Sequence, residues 1–208
     1  MLTSENTLIP SKTVERLVLY RRLLDGLAEQ RVESIHSHEL AEKANNSAAQ
    51  VRRDLMAIGY TGNPAHGYSV ADLVKGINGL FENKRDRKAA LVGIGKLGRA
   101  ILAYFALRQA RPQIVAAFDS DPAKGQGEFA GCPCYPVDAL TSVIAREGIT
   151  VGILTLPAEA AQQVTDLMLA AGVRGILNFA PTPLKTPAWV VVDHVDIATK
   201  LEKVAFFC

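Results

Sequence analysis

The chain of 208 residues carries only three cysteines. A small odd number gives no disulfide framework. Cys132 and Cys134 form a C-x-C pair, but no second pair or neighbouring histidine completes a metal ligand set, so reduced thiols and no metal are expected. No apolar run approaches the roughly 20 residues a membrane helix needs, so no membrane partner is expected. The opening MLTSENTLIPSKTVERL has no charged stretch followed by an apolar core. No signal peptide is expected, and the expected compartment is the cytoplasm. Charge of one sign is scarce too. The formal net charge is +2, which by itself implies no nucleic acid. The excess lies in the first 88 residues, with 13 Lys and Arg against 11 Asp and Glu; the remainder holds ten of each. Internal repeats and low-complexity tracts are absent. What is plentiful is apolar: 49% hydrophobic residues against 21% charged suit an ordinary core in one or two domains.

The first part reads as helices. Residues 11–30 form one, capped by Ser11, with Val14, Leu17, Val18, Leu24, Leu27 and Ala28 on one stripe. Ser37 caps a short second helix with Glu39 in its first turn. Asn45-Asn46 supplies a turn, and Ser47 caps a third helix, AAQVRRDLMAI. The glycines and proline of GYTGNPAHGYSV signal a hairpin. An amphipathic stretch at 71–82 precedes the charged run ENKRDRK, which marks a domain boundary. From residue 89 the period changes. AALV (89–92), IVAAF (114–118), VGILTL (151–156) and GILNF (175–179) are short apolar runs, separated mostly by helical patterns at 96–109, 137–147 and 158–171. That alternation predicts an α/β fold with a parallel sheet and helices on both faces. WVVVD (189–193) adds a strand. DIATKLEKVAFFC closes the chain with a helical stripe of Ile197, Leu201, Val204 and Cys208.

Two motifs carry chemistry. In LVGIGKLGRAIL, Gly93, Gly95 and Gly98 form G-x-G-x-x-G between a strand and a helix, and Asp119 ends the next strand. That is the pattern of a loop cradling a dinucleotide pyrophosphate, with the acid on the adenosine ribose. A carboxylate there repels a 2′-phosphate, which favours NAD over NADP. The second and third helices fit a helix-turn-helix whose second helix enters the major groove. Ser47, Gln50, Arg52 and Arg53 lie on it, types suited to base edges and phosphates. Val51, Leu55 and Ile58 would hold it to its domain, and the hairpin after it would form a wing. No catalytic constellation is expected. His36, His38, His66 and His194 pair with no nucleophile, and none is placed at a strand end. A DNA reader joined to a dinucleotide binder is the plan of a sensor. Two alternatives stay open: a small NAD-dependent oxidoreductase, for which no substrate domain is visible, and a coenzyme A-binding module, for which Asp119 is ill suited.

The chain resembles the Rex family of bacterial redox-sensing transcriptional repressors over essentially its whole length. IPSKTVERLVLY, QVRRDLMAIG, HGYSV, VGIGKLG, AFDSDP, ILTLPAEAA, GILNFAP and VDHVDIATKL carry the resemblance. It implies a winged helix-turn-helix domain (1–83), a charged linker (84–88), a Rossmann-type NAD(H)-binding domain (89–194) and a C-terminal helix (195–208) swapped across a homodimer. It implies a repressor rather than an enzyme, with NADH releasing the DNA and the NAD⁺-bound or free form binding a palindromic operator. His66, Gly67 and Tyr68 join the DNA contacts. Ile94, Lys96 and Leu97 join the glycine loop, Thr155, Leu156 and Pro157 border the cofactor, and Asn178, Phe179 and Ala180 line its nicotinamide end. Arg22, Tyr104 and Asp196 link cofactor state to DNA binding. The chain departs from the family at Ile197, where an aromatic is frequent, and in its wing, which carries His66 where Lys or Arg is frequent.

Overall fold

The computed structural model describes residues 9–82, 87–108 and 112–208. They fall into two compact units, Met1–Lys84 and Arg85–Cys208. Most of the expected linker, 84–86, lies outside the described residues. Lys88 is already strand, paired with Gln113 and Ile149.

In the first unit, α1 spans Ser11–Glu29, α2 Ser37–Lys43, α3 Ala48–Met56 and α4 Val70–Glu82. Ser11 is not the cap of α1. Pro10 is, and its carbonyl accepts from Thr13 and Val14 N–H at 2.8 and 3.1 Å. The proline ring fixes its φ at −57°, and proline has no N–H to leave unpaired. The buried stripe is Thr13, Leu17, Tyr20, Leu24 and Leu27, while Ala28 is exposed. Ser37 likewise yields the cap of α2 to His36, whose backbone N–H donates to Glu39 Oε2 at 2.6 Å. Ser47 caps α3 as expected, Oγ accepting from Gln50 N–H at 3.2 Å. Strand β1 (Ser34–Ile35) pairs antiparallel with β2 (Tyr68–Ser69). Before β2, Asn63 and Gly67 exchange both backbone hydrogen bonds, at 2.8 and 2.7 Å, closing the tip of the wing. Gly67 has φ +70°, and a Cβ there would press on the Ile35 carbonyl. Leu17, Leu24, Leu40, Val51, Leu55, Leu73 and Ile77 fill the core.

The second unit is a seven-stranded sheet. Its strands are β3 (Lys88–Val92), β4 (Gln113–Asp119), β5 (Glu128–Phe129), β6 (Cys132–Pro136), β7 (Ile149–Leu154), β8 (Gly175–Asn178) and β9 (Val191–His194), ordered β5-β6-β4-β3-β7-β8-β9. All pairs are parallel except β5–β6. Helices α5 (Lys96–Arg108), α6 (Leu140–Glu147) and α7 (Ala158–Ala170) lie between strands, and α8 (Ile197–Phe206) follows β9. Alternation along β3 splits the core. Ala90 and Val92 pack with Val143, Ile144 and Met168 of α6 and α7, and Ala89 and Leu91 with Leu102 of α5. The sequence reading missed β5 and β6. Cys132 and Cys134 sit on β6 in the second of these clusters. Burial pushes the Cys132 thiol up to about 12, so it stays protonated. Among the described residues no group of His, Cys, Asp and Glu could hold a metal. No described helix is long and apolar enough to cross a membrane. Three residues of the stripe expected at the C-terminus lie on α8, with Ile197, Leu201 and Val204 at 59%, 68% and 59% exposure within this chain, while Cys208 falls beyond the end of the helix.

Candidate functional site

The parallel strands bring the predicted nucleotide residues to one edge of the sheet. In register, Val92 faces Phe118 and Leu154, and Leu154 faces Asn178. The loops after β3, β4, β7 and β8 therefore meet at the carboxyl ends, where strand order reverses. The glycine loop is tied on three sides. Gly93 N–H donates to the Phe118 carbonyl at 2.8 Å. The Thr155 hydroxyl donates to the Gly93 carbonyl at 2.7 Å. Ile94 N–H donates to Asp119 Oδ2 at 2.7 Å, and Asp119 Oδ1 takes the Asp121 N–H at 2.8 Å. Asp119 is thus both the ribose candidate and the anchor of the loop.

The three glycines differ. Gly93 has φ +103°, and a Cβ would fall on the Thr155 carbonyl. At Gly98 a Cβ would fall on the Gly93 carbonyl oxygen. At Gly95 it would meet nothing within 4 Å. The first and last serve packing, while the middle one keeps a space open above the start of α5. Lys96 and Leu97 are exposed there. Ile94 differs from expectation: its side chain is 1% exposed in the core, so only its backbone belongs to the loop. Thr155 and Leu156 are half-buried, and Pro157 is the residue that caps the N-terminus of α7.

Asn178 also needs correction as a side chain lining a ligand. It is 1% exposed, and its polar atoms are spent on its own loop. Oδ1 accepts from Ala180 N–H at 3.0 Å, and Nδ2 reaches the Thr182 carbonyl at 2.8 Å and His194 Nδ1 at 3.1 Å. It shapes the turn that carries Phe179 and Ala180. His194, not expected at a strand end, closes β9 beside Asn178. The signal was weak because β9 is an exposed edge, with Val191 73% exposed. Of the expected coupling residues, Arg22 is exposed on α1, and Tyr104 on α5 packs edge-on against Phe105. Asp196 caps α8, accepting from the Thr199 hydroxyl and N–H at 2.7 and 3.1 Å. Those bonds hold its carboxyl below the usual range.

On the first unit, α3 turns Val51 and Leu55 into the core and leaves Arg52 and Arg53 exposed. Arg52 Nη1 donates to Ser37 Oγ at 3.0 Å. His66 is exposed at the wing tip. Tyr68 is not part of that surface: at 7% exposure it belongs to the core, because strand alternation turns it inward beside Ile35. The sequence reading missed Asp54. It is 1% exposed and accepts from Arg16 Nε and Nη2 at 2.6 and 2.7 Å, the Tyr20 hydroxyl at 2.9 Å, Gln50 Nε2 at 2.9 Å and the Thr13 hydroxyl at 3.4 Å. Burial pushes its carboxyl up, but the bonds from Arg16, Gln50 and Tyr20 more than reverse this, so it titrates below the ordinary range. Burial, then Asp54, pushes Tyr20 up to about 12. The available signal was an acid on the apolar stripe of α3, three residues after Val51.

Residues 8–55 match the family model described as "Putative DNA-binding protein N-terminus", and residues 84–182 the one described as "CoA binding domain". A redox-sensing transcriptional repressor Rex from Listeria welshimeri is 36% identical over 206 residues, covering 99% of this chain and 96% of the relative. One from Streptomyces coelicolor is 39% identical over 198 residues, 95% of this chain and 77% of the relative. The crystal structure of RSP in complex with β-NAD⁺ and operator DNA aligns with TM-score 0.88 at 30% identity, over 96% of this chain and 92% of that one. The structure of RSP with β-NADH gives 0.83 at 29% identity, over 96% and 94%. Full-length identity to repressors, with a glycine loop and a capped helix-turn-helix in one chain, places this protein in the Rex family of redox-sensing transcriptional repressors, not among enzymes.

Proposed function

We propose that the protein is a cytoplasmic homodimeric repressor that reads the NADH/NAD⁺ ratio. Residues 1–83 are its DNA-binding domain, 84–88 its linker, 89–194 its NAD(H) domain and 195–208 the swapped helix. Ser47, Arg52 and Arg53, with His66 and Gly67 of the wing, face a palindromic operator, and Gln50 reads a base. The dinucleotide lies over the β3–α5 loop, its pyrophosphate at Gly93–Gly98 and its adenosine ribose at Asp119. Thr155–Pro157 and the turn of Phe179 and Ala180 border the rest. The cradle fits that ligand, since of the loop's three glycines only the middle one, Gly95, has a Cβ position that meets no protein atom. That is the observation that carries the reading, because a pyrophosphate needs a close approach of bare backbone to a helix start. The nicotinamide supplies the redox signal when bound. RSP, which binds β-NAD⁺ with operator DNA in one crystal and β-NADH in another, supports the assignment. Arg22, Tyr104 and Asp196 would carry the coupling.

The match to a CoA binding domain favours a second ligand class. Asp119 weighs against it, since a carboxylate suits ribose hydroxyls and repels a 3′-phosphate. The test uses a duplex selected from a randomised library. NADH should release it and NAD⁺ should not. Release by coenzyme A alone, or turnover of a hydroxy or oxo substrate, would contradict the reading.

A further inference from the structure

Asp54 lies one helical turn after Gln50 on α3, and its other partners come from α1. Arg16 grips it through two nitrogens, and the Tyr20 hydroxyl donates to Oδ2. Tyr20 is itself held by Asn46 Nδ2 at 3.2 Å. The carboxylate is therefore fixed before any DNA arrives. Thr13 of α1 adds a longer bond to Oδ1 at 3.4 Å, and the one partner from α3 is Gln50, whose Nε2 donates to Oδ1 at 2.9 Å. An ionised carboxylate only accepts, so the Gln50 nitrogen must face it and the amide oxygen cannot. A free glutamine amide takes both orientations; this one is held in a single orientation.

We propose that Asp54 is a positioning residue for base reading: by holding the Gln50 nitrogen, it fixes the carbonyl oxygen and second N–H of Gln50 as an acceptor–donor pair for adenine. The proposal rests on α3 being the DNA-reading helix. Adenine offers an N6 amino donor and an N7 acceptor, and glutamine matches both. Guanine offers two acceptors, O6 and N7, and meets the fixed amide with oxygen against oxygen. Arg16, Tyr20 and Thr13 thus act on specificity through Asp54 without touching DNA.

The test passes wild type, Gln50→Met and Asp54→Asn through selection from a randomised duplex library and compares base preference position by position. Wild type should favour adenine over guanine about tenfold at one position of each half-site, the low end for a bidentate contact. Both variants should lose that preference and keep those at other positions. An Asp54→Asn protein that binds more weakly yet keeps the adenine preference would make Asp54 a brace only, and overturns the proposal. So does a Gln50→Met protein with unchanged preferences. Arg52→Ala and Arg53→Ala separate this from the underlying reading. If neither weakens DNA binding, α3 is not the reading helix. If they weaken it and Gln50→Met changes no preference, only the present proposal fails. Because Asp54→Asn gives Arg16 a neutral partner and can unfold, a second readout uses the wild-type full chain. One Gln50 side-chain amide proton, assigned by its loss in Gln50→Met, should exchange about tenfold more slowly than the other without DNA. Equal exchange overturns the proposal.

Discussion

In the first unit, α3, the helix proposed to face DNA, is held by side chains. Asp54 gathers Arg16, Tyr20, Thr13 and Gln50 from two helices, and Arg52 and Arg53 project from the frame this makes. In the second unit, the nucleotide loop is held mainly by backbone. Gly93 binds the Phe118 carbonyl, Gly98 stacks on Gly93, and a single carboxylate, Asp119, ties the loop to the next strand. A groove is read at a distance by long side chains, whereas a pyrophosphate is cradled by bare N–H groups at close range. The first site should therefore fail when atoms are removed, and the second when atoms are added.

The largest effect should come from adding one methyl at Gly98. Gly98→Ala drives a Cβ onto the Gly93 carbonyl oxygen, so backbone rather than a flexible side chain would have to shift. It should cost about 3 kcal/mol in thermal unfolding and abolish NADH binding. An unchanged melting temperature would contradict the close packing of Gly98 against Gly93.

Removing atoms should matter next, in the other unit. Asp54→Ala leaves Arg16 without its carboxylate. The Arg16 side chain keeps 24% exposure, so the cost should be about 2 kcal/mol, below the 3–5 of a fully buried pair. Because Asp54 is depressed in the folded state, its contribution is full above the unfolded pKa and fades as pH falls through the folded one. Acid titration of wild type against Asp54→Ala should show the two stabilities converging below about pH 4. A gap that persists there would assign the loss to packing.

Asp119→Ala frees the N–H groups of Ile94 and Asp121. About 1.5 kcal/mol of stability should go with them. NADH affinity should fall and discrimination against NADPH should relax, measured by titrating both ligands. Full retention of that discrimination would make Asp119 a loop anchor only. The smallest stability effect should be that of Gly95→Ala, under about 0.5 kcal/mol, because its Cβ meets no protein atom. Its NADH affinity should nevertheless drop at least tenfold. Unchanged affinity would mean that the space above Gly95 holds no ligand.

Much of this plan was legible in the chain. Periodicity gave α1, α3 and α4 and the strands with runs of apolar residues, because burial on one or both faces writes itself into local order. The glycine loop was legible because its three glycines are local. What escaped depends on contacts far apart in sequence. Asp54 meets Arg16 across 38 residues, and nothing near either one announces the pair. CPCYP hid β6, since proline and cysteine carry no strand signal. Tyr68 read as a surface aromatic until its pairing with Ile35 turned it inward, and the weakly buried edge of β9 left His194 unplaced.

The proposed function requires that the two sites be coupled through one equilibrium. A ligand shifts that equilibrium only by differing in affinity for its two states, and the effect is reciprocal. The direct measurement is calorimetric titration of NADH into the full-length protein, free and saturated with a selected operator duplex. Operator DNA should weaken NADH binding by the factor through which NADH weakens DNA binding, within about 5–150-fold, and Asp196→Ala should shrink that factor while leaving each ligand bound. Equal NADH affinity with and without DNA in the wild-type protein would contradict the account.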